Sequence, residues 1–108
     1  MIDWDRVNEL RDEIGAEDFS EVVEIFLEEV EEEMTKLSAD ADRQDLESTV
    51  HFLKGSALNL GFSHFSTLCQ KNETAARGGD AVDVDALKSS YAASKSEFLE
   101  ALDAPDAA

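Results

Sequence analysis

Between Leu46 and Leu60 the apolar residues Leu46, Val50, Leu53, Ala57 and Leu60 step by four and three, and no stretch of the chain alternates apolar and polar residues with a period of two. The first pattern is the stripe of an α-helix lying on a core, and without the second there is nothing from which to build a sheet. The chain is therefore read as all-α. Four further stripes support this. Trp4, Val7, Leu10 and Ile14 predict a short helix over 3–14 that stops at Gly15. Phe19, Val22, Val23, Phe26, Val30, Met34 and Leu37 predict a longer one from about Asp18 to Leu37, with the acidic run Glu28, Glu29, Glu31, Glu32 and Glu33 mostly off its stripe as a solvated face. After a polar break from Ser38 to Asp42, Asp42 and Asp45 are placed to cap and charge the start of the central helix, which ends at Gly61.

Ser63 is then expected to cap a helix with Phe65, Leu68, Cys69, Asn72 and Ala76 on its inner line, although the amide of Asn72 needs partners there that the sequence does not name. Gly78, Gly79 and Asp80 break the chain. Asp83 or Asp85 caps a last helix with Val84, Leu87, Tyr91, Ser94, Phe98 and Leu102 inward. Four helices of roughly 14 to 20 residues joined by short breaks predict an antiparallel up-down four-helix bundle, with the short N-terminal helix capping one end. One domain over 1–102 is expected, followed by a frayed tail over 103–108 that contains Pro105. With 43% apolar residues among 108, a single core needs no staple.

The net charge of −17 argues against nucleic acid and anionic membrane as partners. No apolar run approaches the length of a membrane span and no basic-then-apolar leader opens the sequence, so a cytoplasmic protein is expected. Cys69 is the single cysteine and is read as a buried, inert thiol; with two histidines it cannot supply a four-ligand zinc site. The charge is unevenly placed. From Ser48 through Asn72 there is no acidic residue; over 48–79 Lys54, Lys71 and Arg77 face only Glu73, a net of +2, while six basic and 25 acidic residues leave −19 elsewhere. An anionic group or an acidic partner site can approach this window.

His51 lies in that window. At about 100° per residue it falls well off the stripe of its helix, and Lys54 and Gly55 share its outward face. Helical side chains lean toward the N-terminus, so the ammonium of Lys54 can reach back over His51, as would any side chain at 55. Glycine leaves that space open. A mid-helix glycine costs roughly 1 kcal/mol against alanine, so its presence asks for a reason. With the helical turn centred near Phe62, residue 51 lies abreast of residue 73, eleven positions away on each side. Glu73 can then accept a hydrogen bond from one imidazole nitrogen and leave the other as a free nucleophile, or it can simply pair with Arg77 four residues on; spacing alone does not choose. A neutral imidazole can attack phosphorus, and Lys54 would offset the phosphoryl charge.

The run His51, Leu53, Lys54, Gly55, Ser56, Leu60, Gly61, with Leu68, Cys69 and Glu73 following, closely resembles the histidine-containing phosphotransfer (HPt) domains of bacterial and fungal two-component phosphorelays. The resemblance covers nearly the whole chain in helix order and is specific over 51–73. It implies a four-helix bundle whose exposed histidine accepts a phosphoryl group from a receiver aspartate or a kinase and passes it to another receiver aspartate. By that resemblance His51 is the phosphoacceptor, Lys54 the neutralising cation, Gly55 the clearance, Glu73 the partner of the imidazole and Arg77 a second cation. Val50, where alanine is common, and Asn72, where leucine usually precedes the glutamate, depart from the pattern.

Leu58, two turns beyond His51, is expected to be exposed, with Phe62 continuing its line as a partner-docking surface; His64 has no such company and is read as a surface residue at a helix start. The expectation is a stand-alone phosphotransfer protein, not an enzyme with an ATP site, since no G-x-x-x-x-G-K-[ST] loop occurs. A monomer is expected, with a response-regulator receiver domain and a hybrid sensor histidine kinase as partners. It needs no cofactor of its own, because the receiver supplies the metal ion. Two other classes compete: a helical module that only docks to a receiver or another signalling protein without being phosphorylated, and a metal-binding bundle, which needs inward-facing histidines and carboxylates.

Overall fold

A chain with helical stripes and glycine at its breaks has its helix ends placed by the glycines. The computed structural model describes residues 2–37 and 42–103, which form α1 Trp4–Ile14, α2 Ala16–Met34, α3 Arg43–Leu60, α4 Ser63–Arg77 and α5 Val84–Asp103. No strand occurs among the described residues. Residues 38–41 of the polar break, residues 104–108 of the tail with Pro105 and the side chain of Leu102 lie outside them, whereas Asp103, expected in the tail, is the last residue of α5.

The four long helices form the bundle, and α3 packs most extensively on α4. Its core takes Phe19, Val23, Val30 and Met34 from α2, Val50, Leu53, Ala57 and Leu60 from α3, Phe65 and Cys69 from α4, and Leu87, Tyr91 and Phe98 from α5. Leu27, absent from the predicted stripe, is also buried, whereas Val22 is only half-buried. Glu31 ties α2 to α5, accepting hydrogen bonds from the Tyr91 hydroxyl at 2.8 Å and Lys95 Nζ at 2.6 Å.

Several helix ends differ from expectation. α2 begins at Ala16 instead of Asp18, because Gly15 at φ +98° turns the chain at once and its carbonyl accepts from Phe19 N. It ends at Met34, although Leu37 beyond it is still buried. Asp42 occupies the N-cap position of α3 but its side chain makes no capping hydrogen bond; the backbone carbonyl alone accepts from Leu46 N. Phe62, not Ser63, holds the N-cap position of α4. At α5 the cap is Asp83, whose Oδ1 accepts from Ala86 N at 3.0 Å.

The α3–α4 turn is also where α1 attaches. Gly61 has φ +88°, which reverses the chain, and a Cβ there would lie 2.8 Å from the Asp3 carbonyl oxygen and 3.0 Å from Val7 Cγ2. A side chain is therefore excluded on two grounds, backbone conformation and space. Asp3 N donates to the Gly61 carbonyl at 2.7 Å and Arg6 Nε to the Asn59 carbonyl at 3.0 Å. Trp4 stacks on Phe98, with centroids 5.9 Å apart. The short helix thus closes the end of the bundle at this turn.

The left-handed glycine also corrects one expectation. Extending the α3 line past Leu60 places Phe62 on the outer face, but the helix has ended at Gly61 and the reversal carries Phe62 inward. Its side chain is 1% exposed, 5.4 Å from the Phe98 ring and 6.2 Å from Tyr91. It is a core residue and offers no docking side chain.

Asn72 finds its partners within the fold. Its Nδ2 donates to the Leu68 carbonyl at 2.9 Å, and its Oδ1 accepts from Asp83 N at 2.8 Å, so a buried amide pins the start of α5 to α4.

Candidate functional site

Antiparallel packing of α3 on α4 pairs residues equidistant from position 62. Three such pairs lie along the seam. Arg77 Nε donates to Glu47 Oε1 at 2.8 Å, His51 Nδ1 lies 2.7 Å from Glu73 Oε2, and Lys54 Nζ donates to Gln70 Oε1 at 3.1 Å.

Glu73 is the hub. Its side chain is 1% exposed, yet it meets three groups: Oε1 accepts from Lys54 Nζ at 2.6 Å, while Oε2 faces His51 Nδ1 and accepts from an Arg77 terminal nitrogen at 3.1 Å. A carboxylate out of water is strongly unfavourable unless paired and hydrogen-bonded, and here it is both. The Lys54 hydrogen bond holds its pKa below the ordinary glutamate range; burial pushes the other way, and the His51 bond and the charges of Lys54 and Arg77 add to the lowering. The ionised carboxylate can only accept, so in the neutral imidazole Nδ1 carries the proton and donates it to Glu73. Nε2 is then the nitrogen with the free lone pair, on a side chain 64% exposed. The alternatives that spacing left open are both present, since Glu73 serves the imidazole and Arg77 together.

Lys54 is more constrained than its place on the helix suggested. It is 22% exposed and its ammonium is shared between Glu73 and Gln70, so it reaches His51 through their common carboxylate. Gly55 borders open space: beyond the local backbone of its own helix and its two chain neighbours, a Cβ added there would meet no described atom within 4 Å. Leu58 is 57% exposed, and Phe52, which the sequence reading did not single out, is exposed beside His51. His64 is a surface residue in the first turn of α4.

Sequence reasoning missed Glu47 and Gln70. The pairing about residue 62 that brought 51 to 73 also brings 47 to 77 and 54 to 70, so the signal was present in the same register. Glu47 also corrects the charge reading, because it stands one residue outside the window counted as +2. Around a neutral His51 ring, Lys54 and Arg77 are balanced by Glu73 and Glu47. Glu47, Ser48, His51, Glu73 and Arg77 line an open cleft of about 250 Å³. A neighbouring groove of about 380 Å³ runs between α2 and α3 past Glu33, Lys36, Asp45, Ser48, Thr49 and Phe52.

Cys69 is fully buried, and burial pushes its thiol up to about 12, so it takes no part in this surface. Among the described residues no group of three or more histidine, cysteine, aspartate or glutamate side chains could hold a metal ion, and no helix is long and apolar enough to cross a membrane.

The model of the Hpt domain family matches residues 21–104. The chain belongs to the Hpt domain family. The match begins within α2, at Glu21, and runs past the end of α5, taking in all of the four-helix bundle except the first five residues of α2. Two kinds of curated relative carry related names. The phosphorelay intermediate protein YPD1 of Candida albicans is 38% identical over 77 residues, which cover 66% of this chain and 41% of that protein. The phosphorelay protein LuxU of Vibrio vulnificus, from two strains, is 32% identical over 87 residues, covering 77% of this chain and 75% of that protein. No solved structure gave a significant match. In this Hpt domain the exposed histidine, its buried carboxylate and the two cations all come from α3 and α4, the helices inside the matched region.

Proposed function

We propose that this chain is a phosphotransfer module in which His51 accepts a phosphoryl group from the aspartyl phosphate of a receiver domain, or from a sensor kinase, and passes it to a receiver aspartate. The observation that carries this reading is an exposed imidazole with Nδ1 bound to a buried carboxylate. In the loading step the lone pair on Nε2 forms the N–P bond, the P–O bond to the aspartate breaks, and its electron pair leaves on the aspartate carboxylate. Nδ1 keeps its proton, so the ring becomes a phosphorylated imidazolium whose charge faces Glu73. Passing the group on is the reverse of this step.

Lys54 and Arg77 supply positive charge beside the transferring group, and the bare Gly55 leaves the approach clear. The chain acts as a carrier, and the divalent metal used in phosphoryl transfer resides on the receiver, so no cofactor is assigned to this protein. Exposed Leu58 and Phe52 flank the route by which a receiver reaches His51 and would be covered by it. The test is incubation with a phosphorylated receiver, followed by assay for acid-labile, base-stable phosphate on the chain. Label on the wild type and none on His51→Gln is the expected result. A chain that binds the receiver equally well with and without His51, and takes no label, would instead be a docking module.

A further inference from the structure

The Arg77 guanidinium is held by two carboxylates of different character. Its Nε donates to Glu47 at 2.8 Å, and a terminal nitrogen donates to Glu73 at 3.1 Å. Glu73 is 1% exposed and also holds His51 and Lys54, so water cannot take the place of Arg77 on its carboxylate, although Lys54 would still balance its charge. Glu47 is one-third exposed and lies one turn before His51 on the same face of α3. Water can rehydrate it when its partner leaves. Both residues and His51 line the same cleft, so the guanidinium has only to swing within that cleft to meet a group on the imidazole.

Charge favours that swing once His51 is loaded. With a neutral ring, the two cations and two carboxylates balance. Loading adds a phosphoryl dianion and a ring cation, leaving an excess of one negative charge, with Glu47 as the surface carboxylate that repels the phosphoryl group and competes with it for arginine. Building on the phosphotransfer reading, we propose that Glu47 is a positioning residue that holds Arg77 off unloaded His51 and yields it to the phosphoryl group after loading. Glu47 thereby sets how strongly the chain retains the group it carries.

The test uses phosphoramidate, a small donor whose P–N bond breaks with loss of ammonia as the His51 N–P bond forms, so no receiver is involved. The wild type, Glu47→Gln, Arg77→Gln and the double variant are loaded. The proton affinity of the phosphoryl group is read by ³¹P NMR titration, and the Arg77 Nε–H signal by ¹⁵N NMR. In the wild type the Arg77 signal should move on loading. Glu47→Gln should lower the proton affinity of the phosphoryl group by roughly 3- to 10-fold, partly as the direct effect of one charge removed several ångströms away in screened solvent and partly because the freed Arg77 pairs with the phosphoryl group. In the Arg77→Gln background the second part should vanish, leaving a clearly smaller change. An Arg77 signal indifferent to loading, an unchanged affinity in Glu47→Gln, or an effect that persists undiminished without Arg77 would each overturn the proposal. Failure of His51 to load at all counts against the underlying phosphotransfer reading, and is distinct from loading without the Arg77 response, which counts against Glu47 alone.

Discussion

Gly55 separates stability from function, because a side chain there is expected to help one and harm the other. The residue lies within α3 with ordinary helical backbone, and beyond the local backbone of its own helix and its two chain neighbours an added Cβ would meet no described atom within 4 Å. Alanine therefore adds no clash and removes backbone freedom from the unfolded chain, a gain of roughly 0.5 to 1 kcal/mol. For a domain of about this length that corresponds to a melting temperature raised by roughly 2 to 6 °C. Glutamine should also be tolerated by the fold, since position 55 faces away from the buried Leu53 and Leu60.

The same side chains lean toward the N-terminus, over His51 four residues earlier, where an incoming aspartyl phosphate must bring its phosphorus within about 3 to 3.5 Å of Nε2. Alanine should slow transfer slightly and glutamine by roughly 10- to 100-fold, because a displacement of about an ångström at a reacting centre can carry a penalty of that size. Denaturation midpoints and single-turnover rates from a phosphorylated receiver, measured for Gly, Ala and Gln at 55, test both arms. A less stable Gly55→Ala would show that the glycine serves close packing, and an undiminished rate in Gly55→Gln would remove the clearance argument.

Three further outcomes are expected. Phe62→Ala should destabilise the fold by about 3 to 5 kcal/mol while Leu58→Ala, at an exposed site, stays within about 0.5 kcal/mol; similar midpoints for the two in urea would contradict the placement of Phe62 in the core. The Glu73 carboxyl has its pKa lowered on folding, chiefly by Lys54, so its contribution is fully present above the ordinary glutamate value near about 4.3 and is lost as pH falls through the folded value. The stability gap between wild type and Glu73→Gln, followed by thermal melts, should thus close as the pH falls below about 4.5; a gap that widens over that acid range would reverse the sign assigned to this group. Ser94 is fully buried with no hydrogen-bond partner for its hydroxyl among the described residues, so Ser94→Ala should be neutral or stabilising by up to about 1 kcal/mol, and a clear loss in a denaturant titration would mean that the hydroxyl is satisfied in solution.

Much of this protein is local, and local patterns are legible in a sequence. The stripes through Val7 and Leu10, Phe19 to Met34, Val50 to Leu60, and Leu87 to Phe98 each mark one face of one helix, and a helix facing a core needs no distant information to declare that face. The His51 to Glu73 contact was legible for a related reason. Two helices joined by a short turn pair antiparallel, so counting from the turn gives the partner, and the same count finds Glu47 with Arg77 and Lys54 with Gln70. Prediction failed where helix periodicity was carried past its end. Phe62 follows the outer line of α3 only if α3 continues, and the left-handed turn at Gly61, which also seats α1, sends it into the core. Contacts between elements that do not share a turn were decided by the tertiary structure alone. The amide of Asn72 is satisfied by the backbone of Asp83 beyond a glycine break, and Glu31 is bound by Tyr91 and Lys95 from the far end of the chain. Both depend on where α5 lies across the bundle, which follows from packing several helices at once and not from the spacing of residues along any one of them.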